Sequence, residues 1–238
     1  MAFVFSENDP FGDLAEKSMA ESVTRHALNP NREEFSFLLC GLDSLDLALY
    51  VDWGEHWTQI KEVLRQLKKR AQGTEGLPDE MNNGRSFLHH PSGGLNYSFH
   101  VQFPEYHLFF NVTGCRGKRA NGYLSLGSQA LWQLGVDKCI DLLWGDLKFF
   151  MAQIEKITVS RCDVCADFFV PGGLSLDFLS RHRVGRSRAT SQHMSGSDLE
   201  TFYVGAAKAP IRLRLYDKTK EVAKRGNKLW FYDLWATS

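Results

Sequence analysis

Alternation of apolar and polar residues predicts several strands along the chain. Over 44–53, every second side chain can face a core, and this face consists of Leu45, Leu47, Leu49 and Val51. Residues 95–114 alternate on both sides of Pro104 and Glu105, which predicts a β-hairpin. Residues 157–170 predict an apolar strand in the interior of a sheet. Residues 201–218 predict a second hairpin.

Apolar residues spaced by three and four positions predict helices between these strands. The clearest helix covers 54–72, and its apolar face consists of Trp57, Ile60, Val63, Leu64 and Leu67. Further helices are predicted near the end of 115–135, over 139–156 and over 173–183. Residues 74–86 and 183–198 are predicted as loops. Strands, hairpins and helices in this order predict an α+β fold, with helices packed on an antiparallel or mixed sheet.

Composition indicates a globular protein. The chain has 238 residues and 43% hydrophobic content, enough to bury a core. We expect an acidic, loosely ordered leader over 1–35 and one domain over 36–238. No apolar run has the length of a membrane span or the features of a secretion signal, so we expect a soluble, cytoplasmic protein. The odd number of cysteines, 5, favours reduced thiols.

Charge is distributed unevenly although the formal net charge is zero. Residues 1–50 contain nine acidic and three basic residues, whereas residues 181–228 contain twelve basic and four acidic residues. Such a basic region can attract a polyanion whatever the net charge of the chain. The first candidate contacts in this region are Arg181, Arg183, Arg186 and Arg188.

The segment RLRLYDKTKE, residues 212–221, contains the strongest candidate chemistry. Strand alternation puts Ile211, Leu213 and Leu215 on a core face, and puts Arg212, Arg214, Tyr216 and Lys218 on the other face. A solvated strand face is one interpretation. The other is an anion site in which cations stabilise a phenolate nucleophile and the phosphodiester that it attacks. Glu221 could then bind a divalent metal or accept the phenolic proton.

Acidic and histidine side chains provide further candidates. Arg161, Asp163 and Asp167 share one face of the strand over 157–170. Asp163 can form a structural ion pair with Arg161, or the two aspartates can have functional roles. His100 and His107 flank the Pro104 turn, and a metal site, proton transfer and ordinary surface all remain open for them. His89 and His90 are assigned to a loop and given no role.

Two motifs together resemble the replication initiation factor family, the trans-acting Rep proteins of rolling-circle plasmids and filamentous phages. The first is RCDVCADF at 161–168, and the second is TFYVGAAKAPIRLRLYDKTKE at 201–221. GLDSLDLALY at 41–50 is similar to the family's opening strand. The likeness spans about residues 40–235, and its specificity comes from the order and spacing of the motifs.

The resemblance implies a nicking-type replication initiator fold and a set of roles. Tyr216 matches the nicking tyrosine, and Lys218 and Glu221 belong to the same catalytic motif. Asp163, Asp167 and Glu221 match acidic positions associated with Mg²⁺ or Mn²⁺. The basic positions Arg161, Arg212 and Arg214, together with the arginines of 181–188, are expected to bind DNA. Relatives continue beyond the counterpart of WFYDLW at 230–235, so a C-terminally truncated member is also expected.

The sequence therefore predicts a rolling-circle initiator that binds an origin, single-stranded or hairpin, and nicks one strand. The alternative is a DNA-binding replication or transcription regulator that has the same fold and no nicking activity. Aromatic residues in WFYDLW could stack on bases or form part of the core. A host helicase and a second copy of the chain remain open as partners, whereas no membrane is expected.

Overall fold

The structure is a computed structural model. It describes residues 36–55, 57–81, 83–111, 119–149, 152–185, 187–225 and 228–236. The predicted leader over 1–35 lies outside the described residues. The chain divides into two compact units: the sheet unit, Gly41–Cys165, and the hairpin unit, which combines Met1–Cys40 with Ala166–Ser238.

The described residues form strands and helices in an α+β arrangement, which confirms the predicted fold class. The strands are β1 (Ser36–Asp52), β2 (Leu77–Glu80), β3 (Ser86–His89), β4 (Phe99–Gln102), β5 (Tyr106–Phe110), β6 (Gly122–Gly127), β7 (Gln153–Phe169), β8 (Thr190–Ser195), β9 (Asp198–Val204) and β10 (Leu213–Tyr216). The helices are α1 (Trp57–Arg70), α2 (Ser128–Phe149), α3 (Leu176–His182), α4 (Lys218–Arg225) and α5 (Trp230–Ala236). None of these described helices combines the length and the apolarity that crossing a membrane requires.

The larger sheet has seven strands in the order β2-β3-β4-β5-β6-β1-β7. Its successive neighbours from β2 to β1 pair antiparallel. The strand β7 lies at one edge, so the prediction that residues 157–170 form an interior strand is wrong. Val164 on this strand is 76% exposed. Single apolar side chains at a protein surface are common.

The core of the sheet unit confirms the periodicity of its first strand and only part of that of its first helix. The predicted apolar face of β1, formed by Leu45, Leu47, Leu49 and Val51, is buried. In α1, Trp57 and Leu64 are buried but Val63 is 56% exposed. The helical positions assigned to the apolar face therefore spread more widely than the stripe that contacts the core.

The smaller sheet has the order β10-β9-β8, with both pairs antiparallel. One of its faces packs on a small core in which Leu179, Leu199 and Phe202 are buried. Leu215 packs against this core, as predicted. The same prediction is wrong for Ile211 and Leu213, which are 86% and 53% exposed. The small core ends before it reaches them.

Several element boundaries differ from prediction. The predicted loop over 74–86 contains β2, and the predicted loop over 183–198 contains β8. The strand β6 was not predicted, and β7 begins at Gln153, where a helix was expected. The strands β2, β6 and β8 have four, six and six residues, so cross-strand pairing determines their conformation more than their own periodicity does.

The C-terminal helix α5 decides part of the question raised by WFYDLW. Phe231 and Trp235 are 0% and 3% exposed, which confirms the core interpretation for these two residues. Tyr232 is 39% exposed. Trp235 also donates from its indole nitrogen to Asp167 over 2.8 Å.

Candidate functional site

A strand-to-helix junction brings the motif residues together. The strand β10 ends at Tyr216 and α4 begins at Lys218. Asp217 lies between them and caps the helix, because its Oδ1 accepts from the backbone nitrogen of Lys220 over 3.1 Å. The prediction that Lys218 continues the strand is therefore wrong, although the junction still places it beside the tyrosine.

Two cations contact the phenol of Tyr216. Lys218 Nζ lies 2.9 Å from the phenolic oxygen, and the guanidinium carbon of Arg214 lies 4.2 Å from the ring centroid. The phenol itself is half-buried. Positive charges at these positions stabilise negative charge on the phenolic oxygen, as the sequence-based hypothesis requires.

Glu221 completes this group from the first turn of α4. Its carboxylate lies 3.0 Å from Lys218 Nζ and 3.7 Å from Lys228 Nζ. Burial alone would raise the pKa of Glu221, but the hydrogen bond and charge of Lys218, the charge of Lys228 and a hydrogen bond from Tyr216 together lower it. The carboxylate is therefore ionised at neutral pH, and it accepts a hydrogen bond from the phenol. We call Arg214, Tyr216, Lys218 and Glu221 the tyrosine cluster.

The polar face of the smaller sheet extends this cluster across two further strands. Arg214 pairs with Tyr203 on β9, and Ser191 on β8 pairs with Tyr203 in turn. The guanidinium carbon of Arg212 lies 3.8 Å from the Tyr203 ring centroid. Arg212 therefore stacks on Tyr203 as Arg214 does on Tyr216, and this face presents two arginine–tyrosine pairs side by side.

The same neighbours raise the pKa of Arg214. Burial lowers the pKa of Arg214, but the charges of Tyr216, Glu221 and Tyr203 and a hydrogen bond to Tyr216 outweigh it and leave the pKa raised. The guanidinium therefore remains a permanent cation beside the phenol.

The other arginines predicted to bind DNA have separate environments. Arg181 forms an ion pair with Asp177 within α3, and its side chain is 68% exposed. Arg183 lies 6.0 Å from the ring of Phe202, and Arg188 is exposed. Arg186 lies outside the described residues. The described part of the hairpin unit thus offers exposed cations besides the tyrosine cluster.

The acids predicted to bind a metal are each engaged by another side chain. Arg161 donates to both oxygens of Asp163, with Nε 3.0 Å from Oδ1, so the ion pair that competed with a functional role is present. Asp167 accepts from the indole of Trp235, and Glu221 lies between two lysines. Carboxylate oxygens suit Mg²⁺ or Mn²⁺ in kind. Each of these carboxylates, however, already has a guanidinium, indole or ammonium partner, so none of them is an open ligand for such an ion.

Three histidines of the sheet unit converge in a way that the sequence indicated only in part. His90, His100 and His107 each place a possible ligand atom within 4.8 Å of the others, and they are the one such group among the residues that the structure describes. The prediction that His89 and His90 lie in a loop is wrong for His89, which ends β3, and giving His90 no role missed this contact. The sequence did not indicate this contact because it depends on the pairing of β3 with β4. That pairing brings the backbone nitrogen of His90 within 3.1 Å of the backbone oxygen of His100.

Comparison of the sequence with protein-family models and with curated proteins finds no match. The resemblance to the replication initiation factor family therefore depends on the quoted motifs and their order. Any activity inferred from that resemblance is a proposal.

Proposed function

We propose that the protein is a DNA strand-nicking enzyme of the rolling-circle initiator type, with Tyr216 as its nucleophile. The observation that carries the proposal is the contact of the phenolic oxygen with Lys218 Nζ at 2.9 Å, in a cluster that also holds Glu221 and Arg214. Such a group combines a nucleophile, a proton acceptor and fixed positive charge.

In the proposed reaction, the phenolic oxygen attacks the phosphorus of a DNA phosphodiester. The bond between phosphorus and the 3′ oxygen breaks, which leaves a 5′ phosphotyrosine and a free 3′ hydroxyl. The phenolic proton passes to Glu221, whose carboxylate accepts a hydrogen bond from Tyr216. In an in-line attack the leaving 3′ oxygen lies on the opposite side of phosphorus from the phenol, so it takes its proton from solvent water, while Lys218 and Arg214 stabilise the charge of the phosphate under attack.

DNA would be held by the exposed cations of the hairpin unit. Arg212, Arg214 and Arg188 are exposed and can neutralise phosphates. Affinity based on these contacts falls steeply with salt. Arg161 is part of the proposal too, although its guanidinium is bound to Asp163.

Mg²⁺ or Mn²⁺ belongs to the proposal as the cofactor, with Asp163 and Asp167 as its predicted ligands. To hold such an ion, Asp163 would have to release Arg161 and Asp167 would have to release Trp235, so no step of the proposed reaction depends on it. Glu221 is assigned the role of proton acceptor because its carboxylate accepts a hydrogen bond from Tyr216, and it is less suited to bind a metal ion because two ammonium groups already surround it.

The test is formation of a covalent adduct with 3′-labelled, random-sequence single-stranded oligonucleotides, with Mg²⁺ or Mn²⁺ added. The wild-type chain is expected to carry the label through denaturing electrophoresis, and Tyr216→Phe is expected to lose the adduct while it retains salt-dependent DNA binding. Tyr203→Phe is the matched control, because Tyr203 stacks with an arginine on the same face but has no lysine described at its oxygen. It is expected to form the adduct normally.

An adduct that persists in Tyr216→Phe would assign the nucleophile to another residue and overturn the proposal. Salt-dependent binding by the wild-type chain with no adduct under either metal would favour the regulator without nicking activity. Absence of both binding and adduct would leave the polar face as a solvated surface.

A further inference from the structure

We propose that His90, His100 and His107 bind a borderline transition-metal ion of the Zn²⁺ class on the sheet unit. This site is separate from the tyrosine cluster and from the acids predicted to bind Mg²⁺ or Mn²⁺. It does not depend on the proposed nicking activity.

The positions of the three histidines follow from the antiparallel pairing of β3, β4 and β5. His107 lies directly opposite Gln102, so His100 is its diagonal neighbour across the β4–β5 pair. His90 follows β3 and lies beside His100 on the other side. Three imidazoles from three consecutive chain segments therefore meet on one face of the sheet, where each segment is fixed by backbone hydrogen bonds.

The distances suit a shared ion. His100 Nε2 lies 2.9 Å from His107 Nδ1, and the candidate ligand atoms of all three residues lie within 4.8 Å of one another. Zinc bonds to histidine nitrogen of about 2.0–2.1 Å in a tetrahedron require nitrogens about 3.4 Å apart. The ring of His90 stacks on that of His100 with centroids 3.9 Å apart, so one of these two rings has to turn out of the stack before both can direct a nitrogen at one ion.

Neighbouring side chains fix the orientation of the histidine rings, as they commonly do for metal-binding histidines. Gln102 Oε1 lies 2.9 Å from His90 Nε2, a contact of the kind that holds a metal-binding imidazole in place. His100 also stacks on Phe109, with centroids 4.2 Å apart. Three imidazoles with no carboxylate among them favour Zn²⁺, Co²⁺, Ni²⁺ or Cu²⁺ over Mg²⁺ or Ca²⁺, and leave a fourth position for water or a substrate atom.

The experiment is calorimetric titration of the full chain, stripped of metal and kept reduced, with ZnCl₂. The expected result is one equivalent bound by the wild-type chain and a rise in its thermal unfolding temperature. His100→Gln and His107→Gln are expected to lose that equivalent. Gln102→Ala is expected to weaken binding by about 10- to 100-fold, because it removes only the orienting contact. His193→Gln is the matched control on the hairpin unit and is expected to bind normally.

Cobalt distinguishes this site from the free thiols of the chain. Co²⁺ bound by imidazoles gives visible ligand-field bands without the thiolate charge-transfer absorption that cysteine ligation produces, and we expect only the former. A charge-transfer band, no binding by the wild-type chain, or binding retained in His100→Gln and His107→Gln would overturn the proposal. If a strand variant fails to fold, His90→Gln, whose residue lies outside the strands, is decisive in the same way. Tyr216→Phe is expected to bind Zn²⁺ normally, which separates this result from the outcome of the nicking test.

Discussion

At the scale of single residues, Arg85 is the centre of an ion-pair group in the sheet unit that includes a buried carboxylate. Its guanidinium reaches Glu105 over 2.9 Å and Asp146 over 2.8 Å. Asp146 is 1% exposed and also accepts from the hydroxyl of Tyr106. Burial lowers the pKa of Arg85, but both carboxylates outweigh it and raise the pKa overall. The buried Asp146 carboxylate is thus contacted by one guanidinium and one phenol.

Arg85→Met is predicted to destabilise the protein by about 3–5 kcal/mol, because it leaves the Asp146 carboxylate buried without its cation. The measurement is urea unfolding at neutral pH. Arg65→Met is the matched control, since Arg65 is 54% exposed and pairs with Glu62 over 3.7 Å. We expect this control to cost less than about 1 kcal/mol. Equal costs for the two variants would mean that the Arg85 group contributes no more than a surface pair.

The two residue clusters also show what the sequence can and cannot predict about a site. Arg214, Tyr216, Lys218 and Glu221 lie within eight consecutive residues, so local spacing alone was enough to propose them together. Asp146 is separated from Arg85 by 61 residues, and no periodicity in either segment relates them. Contacts of this second kind depend on the sheet order, which a single sequence does not specify.

At the scale of elements, the junction between β10 and α4 determines the geometry of the tyrosine cluster. Asp217 ends the strand and starts the helix, with its backbone oxygen accepting from the Glu221 nitrogen over 3.2 Å. The first helical turn then directs Lys218 back to the phenol and holds Glu221 against Lys218. If the strand had continued, Lys218 would lie about 6–7 Å beyond Tyr216 along the strand.

Asp217→Ala is predicted to destabilise the protein by about 1 kcal/mol, because it removes the side-chain acceptor at the start of α4. Asp217→Asn is the control, since asparagine caps a helix about as well as aspartate. Thermal unfolding of both variants measures the effect, and the adduct assay reports whether the lysine is still placed beside the phenol. An alanine variant as stable as the asparagine variant would show that the cap does not hold this junction.

The helices and hairpins that the sequence predicted have regular apolar spacing or clear turn residues within their own segments. The helices α1 and α3 and the hairpins β4–β5 and β9–β10 have regular apolar spacing or clear turn residues, and all were predicted. The strands β2 and β8 have four and six residues and are mostly exposed, so nothing in their composition opposed a loop. Their backbone hydrogen bonds to β3 and β9 define them instead.

At the scale of the whole molecule, three histidines in the sheet unit make its stability depend on pH. Burial lowers the pKa of His89, partly offset by Asp79, and burial with neighbouring charge lowers those of His100 and His107. A group whose pKa is lower in the folded state than in the unfolded chain contributes stability at any pH above its unfolded-state pKa. This contribution is lost as the pH falls from the unfolded-state pKa to the folded-state pKa. For His100 that interval runs from 6.5 to about 4.

We therefore predict that the thermal unfolding temperature falls between pH 6.5 and pH 4, because the unfolded chain takes up protons that the folded histidines do not accept. Carboxylates contribute to any such profile, so the informative comparison is with the double variant His100→Gln, His107→Gln. Its profile should be shallower over the same interval, since two of the proton-binding groups are gone from the unfolded chain. Identical slopes for both proteins would show that the histidine cluster is not held neutral. Adding Zn²⁺ should steepen the wild-type profile alone, because the ion and the protons compete for the same nitrogens.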